Sequence, residues 1–156
     1  RRDDIHRLSL SHRAIHVLVF RLDGRLFLQK RGLHKQESPG LWDSSVAGHV
    51  DAGETYDACC VREIEEEIGI RMEEMPKRLF KLVASPQTGM EFCWVYRLVT
   101  DLELALDYTE METGQWFAQA QVDQWLRDSA EDFAESFRTI WHRFSQCKEV
   151  DVVEYV

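Results

Sequence analysis

Gly48–Ile70, GHVDAGETYDACCVREIEEEIGI, is a glycine-bearing loop running into an acidic helix. Val61, Ile64 and Ile68 recur at i, i+3 and i+7, which predicts a helix over Thr55–Ile68. Thr55 is its N-cap, Asp57 suits the first turn and Gly69 is the stop. Glu63, Glu66 and Glu67 then stand at i, i+3 and i+4 and share a face. Arg62 lies one turn before Glu66 and can hold it. Taken alone, such a face reads more readily as a solvated acidic surface. The preceding loop changes that reading, because Gly48 and Gly53 let the backbone and Glu54 approach the same point. Carboxylates crowded this way repel unless a cation sits among them, and hard oxygen ligands select Mg²⁺, with Mn²⁺ as a substitute.

Outward from this stretch, His12–Leu22 predicts a strand with apolar residues on both faces, hence a central strand covered on each side. Asp23-Gly24 marks a hairpin to a partner strand at Arg25–Lys30. Gly32–Asp43 is a loop around Pro39-Gly40, and Ser44–Val50 is short and extended. Leu79–Ser85 and Glu91–Thr100 predict two further strands joined by a turn at Gln87–Gly89. Leu102–Thr113 is acidic and irregular, Gln115–Ala118 a short strand and Val122–Arg127 a helix. Phe133, Phe137, Ile140 and Phe144 predict an amphipathic helix over Glu131–Phe144. Arg1–Ser11 is a polar lead-in, and the tail Val150–Val156 is β-prone. Hairpins mixed with early and late helices predict an α+β chain, a mixed sheet between helical layers.

The 156 residues suit one domain, 1–156, and the absence of a starting methionine points to a truncated N-terminus. A formal charge of −9 argues against nucleic-acid or anionic-membrane partners, which need a basic footprint. An acidic protein that handles phosphates needs a cation between the two. No run of 18 apolar residues and no apolar signal core is present, so the expectation is a cytoplasmic protein without membrane spans. Cys59, Cys60, Cys93 and Cys147 form no C-x-x-C pair and read as reduced structural thiols.

Gly48, five residues, Glu54, seven residues, then Arg62-Glu63-Ile64-x-Glu66-Glu67-x-Gly69-Ile70 resembles the Nudix box at every fixed position. The resemblance implies the Nudix fold, an α/β/α sandwich, and hydrolysis of a small-molecule diphosphate linked to another moiety by attack of a metal-activated water. It makes Glu63, Glu66 and Glu67 metal ligands, Arg62 the residue that orients a glutamate and Glu54 a helper of the metal shell. The general base is expected to be Glu66, or Glu110 or Glu112 outside the box. His12-Arg13-Ala14, Leu28–Arg31, Ser38–Asp43 and Gly48-His49 are similar to the branch of the family that contains isopentenyl-diphosphate isomerase. In that branch the residue before Gly-His is the catalytic cysteine; here it is Ala47, which favours a hydrolase over an isomerase. A non-catalytic nucleotide-sensing module is the remaining alternative. The same resemblance makes His12 and His49 candidate ligands of a second metal, and Arg31 and Lys35 candidate diphosphate contacts, with Lys30 beside them. His16 is expected in the core or pocket wall. Trp42 is expected to pack or to stack on substrate, and the other tryptophans are left to the core. Homodimers are common in this fold, so a homodimer is an expectation.

Overall fold

A computed structural model describes residues 12–154. Seven strands form one sheet: β1 (His12–Phe20), β2 (Leu26–Arg31), β3 (Trp42–Asp43), β4 (Val46–His49), β5 (Lys77–Leu82), β6 (Glu91–Val99) and β7 (Met111–Phe117). Among the described residues three α-helices accompany them, α1 (Tyr56–Ile68), α2 (Gln119–Ser129) and α3 (Glu135–Glu154).

β1 is central because neither of its faces is free. Ile15, Val17 and Val19 pack with Cys59, Cys60, Ile64 and Ile68 of α1 in one core. Leu18 and Phe20 pack on the other face with Val122 of α2 and with Phe137, Ile140, Trp141 and Phe144 of α3. The alternation of the strand thus divides two apolar cores between two helical layers, giving the α/β/α sandwich. β1 runs parallel to β6 along its whole length, with His12 opposite Glu91 and Phe20 opposite Val99. On its other edge it changes partner: Ala14–Val17 pair antiparallel with β4, and Val19 and Phe20 with β2.

α1 has the expected ends. The Thr55 hydroxyl accepts from the Ala58 N–H at 3.0 Å, and Gly69, at φ 72°, sends its own N–H back to the Glu65 carbonyl. At its N-terminal end Asp57 accepts from the Tyr96 hydroxyl of β6 at 2.7 Å and from Arg78 of β5. These bonds tie the helix to the sheet across its own first turn.

Several expected boundaries move. β5 begins at Lys77 rather than Leu79, and a 3-10 turn over Pro86–Thr88 precedes β6. β7 starts at Met111, inside the stretch that reads as irregular, because pairing with β2 supplies its ladder; a register shift at Lys30/Arg31 accommodates it. Phe133 is not helical: it is extended, buried, and bridges Trp42, so α3 starts at Glu135. The β-prone tail continues α3 through Glu154, because extending an existing helix needs no new nucleus and overrides valine's intrinsic preference. The Arg1–Ser11 lead-in lies outside the described residues.

Candidate metal and diphosphate site

The cleft lies over the N-terminal half of β1 and over β4, where α1 approaches, and encloses about 710 Å³. Glu63, Glu66, Glu67 and Arg62 line one wall; Ala14, His16, Ala47, His49 and Glu91 line the sheet side; Arg31, Lys35 and Glu110 also face it.

Gly48 is what lets α1 come this close. A Cβ at this position would stand 2.3 Å from Glu63 Cδ and 2.5 Å from its Oε1. Glu63 and Glu67 are buried against β4, while Glu66, one position round the helix, is exposed. Arg62 gathers the acids. Its Nε and Nη2 donate to the two oxygens of Glu54 at 2.8 and 2.9 Å, and its Nη1 donates to Glu63 at 2.8 Å and Glu66 at 3.3 Å. Nη2 also donates to the His49 carbonyl at 3.2 Å. The two-pronged Arg62 contact pulls the Glu54 carboxyl down to about 2, from an ordinary 4.5. Glu54 reaches Arg62 from a turn that Gly53 closes at φ 80°, and its Oε1 also accepts from the Asp51 N–H at 3.0 Å.

Glu67 behaves oppositely. Burial first, then the adjacent Glu63, push its carboxyl well above the usual range, while the Gln29 side chain and the Ala47 N–H partly offset this. Two buried carboxylates beside an exposed third one are a donor set of hard oxygens whose mutual repulsion a divalent cation relieves. The residues present therefore fit Mg²⁺ or Mn²⁺.

The other expected residues divide. Arg31 is anchored, donating from Nη1 to Asp43 at 3.2 Å and from Nε to the Glu37 carbonyl at 2.9 Å. Lys35 is ion-paired to Glu110. Lys30 and Glu112 pair with each other at 3.7 Å and line no part of the cleft. Glu112 is exposed beside the buried Met111 on β7, which leaves it off the cleft wall as a candidate base. Trp42 packs edge-on against Phe117 and Trp125, at 5.3 and 5.6 Å between ring centroids, and is a core residue. His16 is buried and lines the cleft with Nδ1 2.9 Å from the Ser44 hydroxyl. All four cysteines are free thiols, three of them buried.

A second cluster stands on the sheet side. His12 Nε2 and His49 Nε2 lie 2.9 and 2.7 Å from the same oxygen of Glu91, and 2.7 Å from each other. Burial alone would raise the Glu91 carboxyl, but the hydrogen bonds from His12 and His49 outweigh it and hold the group far below the usual range. His16, Glu91 and Cys93 form an overlapping, fully buried group with ligand atoms within 4.8 Å of one another. Glu91 is the member that sequence reasoning missed. Its signal in the sequence is an acid at the head of a mostly apolar strand, and its partner His12 is 79 positions away.

Among the described residues, no helix is long and apolar enough to cross a membrane.

The NUDIX domain family model matches residues 10–139. An isopentenyl-diphosphate Δ-isomerase from Burkholderia multivorans is 30% identical over 139 residues, covering 87% of this chain and 76% of its own length. An uncharacterized Nudix hydrolase from Pseudomonas aeruginosa is 32% identical over 115 residues, 74% of this chain and 68% of its own. Nudix hydrolase 3 from Arabidopsis thaliana is 41% identical over 83 residues, but the chain spans only 10% of that protein. In fold, a MutT protein from Methanosarcina mazei superposes with a TM-score of 0.72 at 21% identity, covering 88% of this chain and 95% of its own. With a matched span that takes in the whole of β1, β4 and α1 and the cleft they enclose, the chain belongs to the NUDIX domain family.

Proposed function

We propose that the protein is a Mg²⁺-dependent pyrophosphohydrolase that cleaves the diphosphate linkage of a small molecule. The observation that carries this reading is the convergence of Glu63, Glu66 and Glu67 on one cleft wall with Arg31 and Lys35 also facing the cleft. Glu63, Glu66 and Glu67 would hold the cation. When bound, the cation supplies positive charge for the diphosphate oxygens and acidity for the attacking water. Arg62 keeps Glu54, Glu63 and Glu66 in fixed orientation. Lys35 exchanges its ion pair with Glu110 for a substrate phosphate, while Arg31, held by Asp43, offers its remaining N–H groups. Glu66, exposed at the cleft and hydrogen-bonded to Arg62, is the base we favour.

Phosphate release from a panel of nucleoside-diphosphate, sugar and prenyl diphosphate compounds, with Mg²⁺ and with Mn²⁺, tests this. Activity on at least one, lost in Glu66→Gln, is expected; no release from any sinks it.

The isomerase reading draws support from the Burkholderia relative and from the His12–His49–Glu91 cluster. Ala47 argues against it, since a methyl group on the cleft wall can neither give nor take a proton. Interconversion of isopentenyl and dimethylallyl diphosphates would reverse our preference. In either reading we take His12, His49 and Glu91 as ligands of a second cation, one that imidazole favours, such as Zn²⁺. The buried thiols fit a reducing, cytoplasmic setting. A homodimer is the expected state, checked by light scattering on the eluting protein.

A further inference from the structure

Gln29 stands in the middle of β2 and is buried, 4% exposed. No local pattern explains an amide there: its strand neighbours Leu26, Phe27 and Leu28 are all core. Its Nε2 donates to Glu67 Oε1 at 3.0 Å and to the Ser45 carbonyl at 3.3 Å. Ser45 is itself fixed, its hydroxyl accepting from the Val19 N–H at 2.8 Å and donating to the Phe27 carbonyl. The amide is therefore oriented from behind by a rigid part of the sheet, and its second N–H is aimed at one oxygen of Glu67.

We infer that Gln29 is a positioning residue, which fixes the buried Glu67 carboxylate with one oxygen occupied and the other turned toward the cation. This rests on the reading of Glu63, Glu66 and Glu67 as cation ligands. A carboxylate on a helix can rotate about three side-chain bonds. Glu67 is only 4% exposed, so its orientation is set mainly by the donors within reach. The Ala47 N–H is one and Gln29 the other. Without Gln29 only the Ala47 N–H and the neighbouring Glu63 side chain are left to set the orientation of the carboxylate. Groups behind a ligand commonly change metal affinity by about 10- to 100-fold.

The test is the dissociation constant for Mn²⁺, read from the electron paramagnetic resonance of free Mn²⁺ over the full chain, with far-UV circular dichroism as the fold check. Gln29→Met keeps length and burial but removes both donors; the constant is expected to rise about 10- to 100-fold. Gln29→Asn keeps the amide but withdraws it by one methylene, and a smaller rise is expected, which keeps the inference testable if the methionine variant does not fold. In a Glu67→Gln background, Gln29→Met is expected to add little, because the two act as one unit. A merely structural glutamine would lower the melting temperature in both backgrounds and leave the Mn²⁺ constant alone. If Glu67→Gln weakens Mn²⁺ binding and neither Gln29 variant does, the inference is overturned and the cation site stands. If Glu67→Gln leaves Mn²⁺ binding unchanged, both fall together.

Discussion

On the α1 wall of the cleft, like charges are crowded and a cation of the protein's own, Arg62, already moderates them. On the sheet wall, two imidazoles crowd one carboxylate, and the moderating charge is Glu91. The first cluster is built from residues of a single helix and its entry loop. The second is assembled by the parallel pairing of β1 with β6 and the antiparallel pairing of β1 with β4, from residues at positions 12, 49 and 91. The difference teaches that charge is organised here at two ranges. The helical cluster is fixed by local periodicity and keeps its shape as long as α1 forms. The sheet cluster exists only if the strand register is correct, so it reports on the tertiary fold. The two meet at His49, whose carbonyl accepts from Arg62 while its ring faces Glu91.

The largest effect should come from the helical side. Glu66→Gln is expected to lower kcat by about 10²- to 10⁴-fold, the range for loss of a positioned base, with circular dichroism unchanged; full activity in that variant would move the reactive side elsewhere. Glu91→Gln and His49→Ala probe the other wall. Elemental analysis should find their transition-metal content lost, and phosphate release should fall less than in Glu66→Gln. An equal collapse would mean that the two clusters are one catalytic unit. Gly48→Ala tests the seam between them. With a Cβ 2.3 Å from Glu63 Cδ, it is expected to destabilise the fold by about 1–3 kcal/mol and to weaken Mn²⁺ binding, read by thermal melting and titration. An unchanged melting temperature would show that α1 has room to retreat.

The smallest effect concerns the end of α1 remote from both clusters. Asp57 is partly buried, which raises its carboxyl, but the Tyr96 and Arg78 bonds outweigh this and leave it below its ordinary 3.8. A lowered folded value means stabilisation present above pH 3.8 and lost as the pH falls further. Tyr96→Phe should therefore cost about 1 kcal/mol near neutral pH, and its gap from the parent should narrow in acid, as melting temperatures against pH would report. A gap independent of pH would detach Asp57 from this account.

Much of the helical cluster was legible in the sequence because helix geometry is short-ranged. The spacing of Glu63, Glu66 and Glu67, the Thr55 cap and the Gly69 stop all lie within one element, and the structure reproduces the helix they predict. β1 was legible for a similar reason, its apolar residues occupying both faces of one short stretch. Glu91 and Gln29 were not, because each acquires meaning only from a partner that the sheet brings near: His12 for the one, Glu67 for the other. Glu112 misled because it is the extra residue of β7 at the register shift opposite Lys30 and Arg31, which composition does not encode. The C-terminal valines misled because a helix already running from Glu135 decides their conformation.

β1 carries a further consequence in its even positions. Ala14 and His16 lie alongside β4 and line the cleft, His12 stands next to them against His49 and Glu91, and Leu18 and Phe20 lie beyond the change of partner, in the α2–α3 core. One strand thus has an adjustable half and a fixed half, with the boundary near Val17. An engineer wishing to retune the chemistry could vary positions 14 and 16, which line the cleft, while leaving positions 18 and 20 untouched; Ala14 and His16 are both buried, at 2% and 3% exposure, so each replacement would have to match the space it fills.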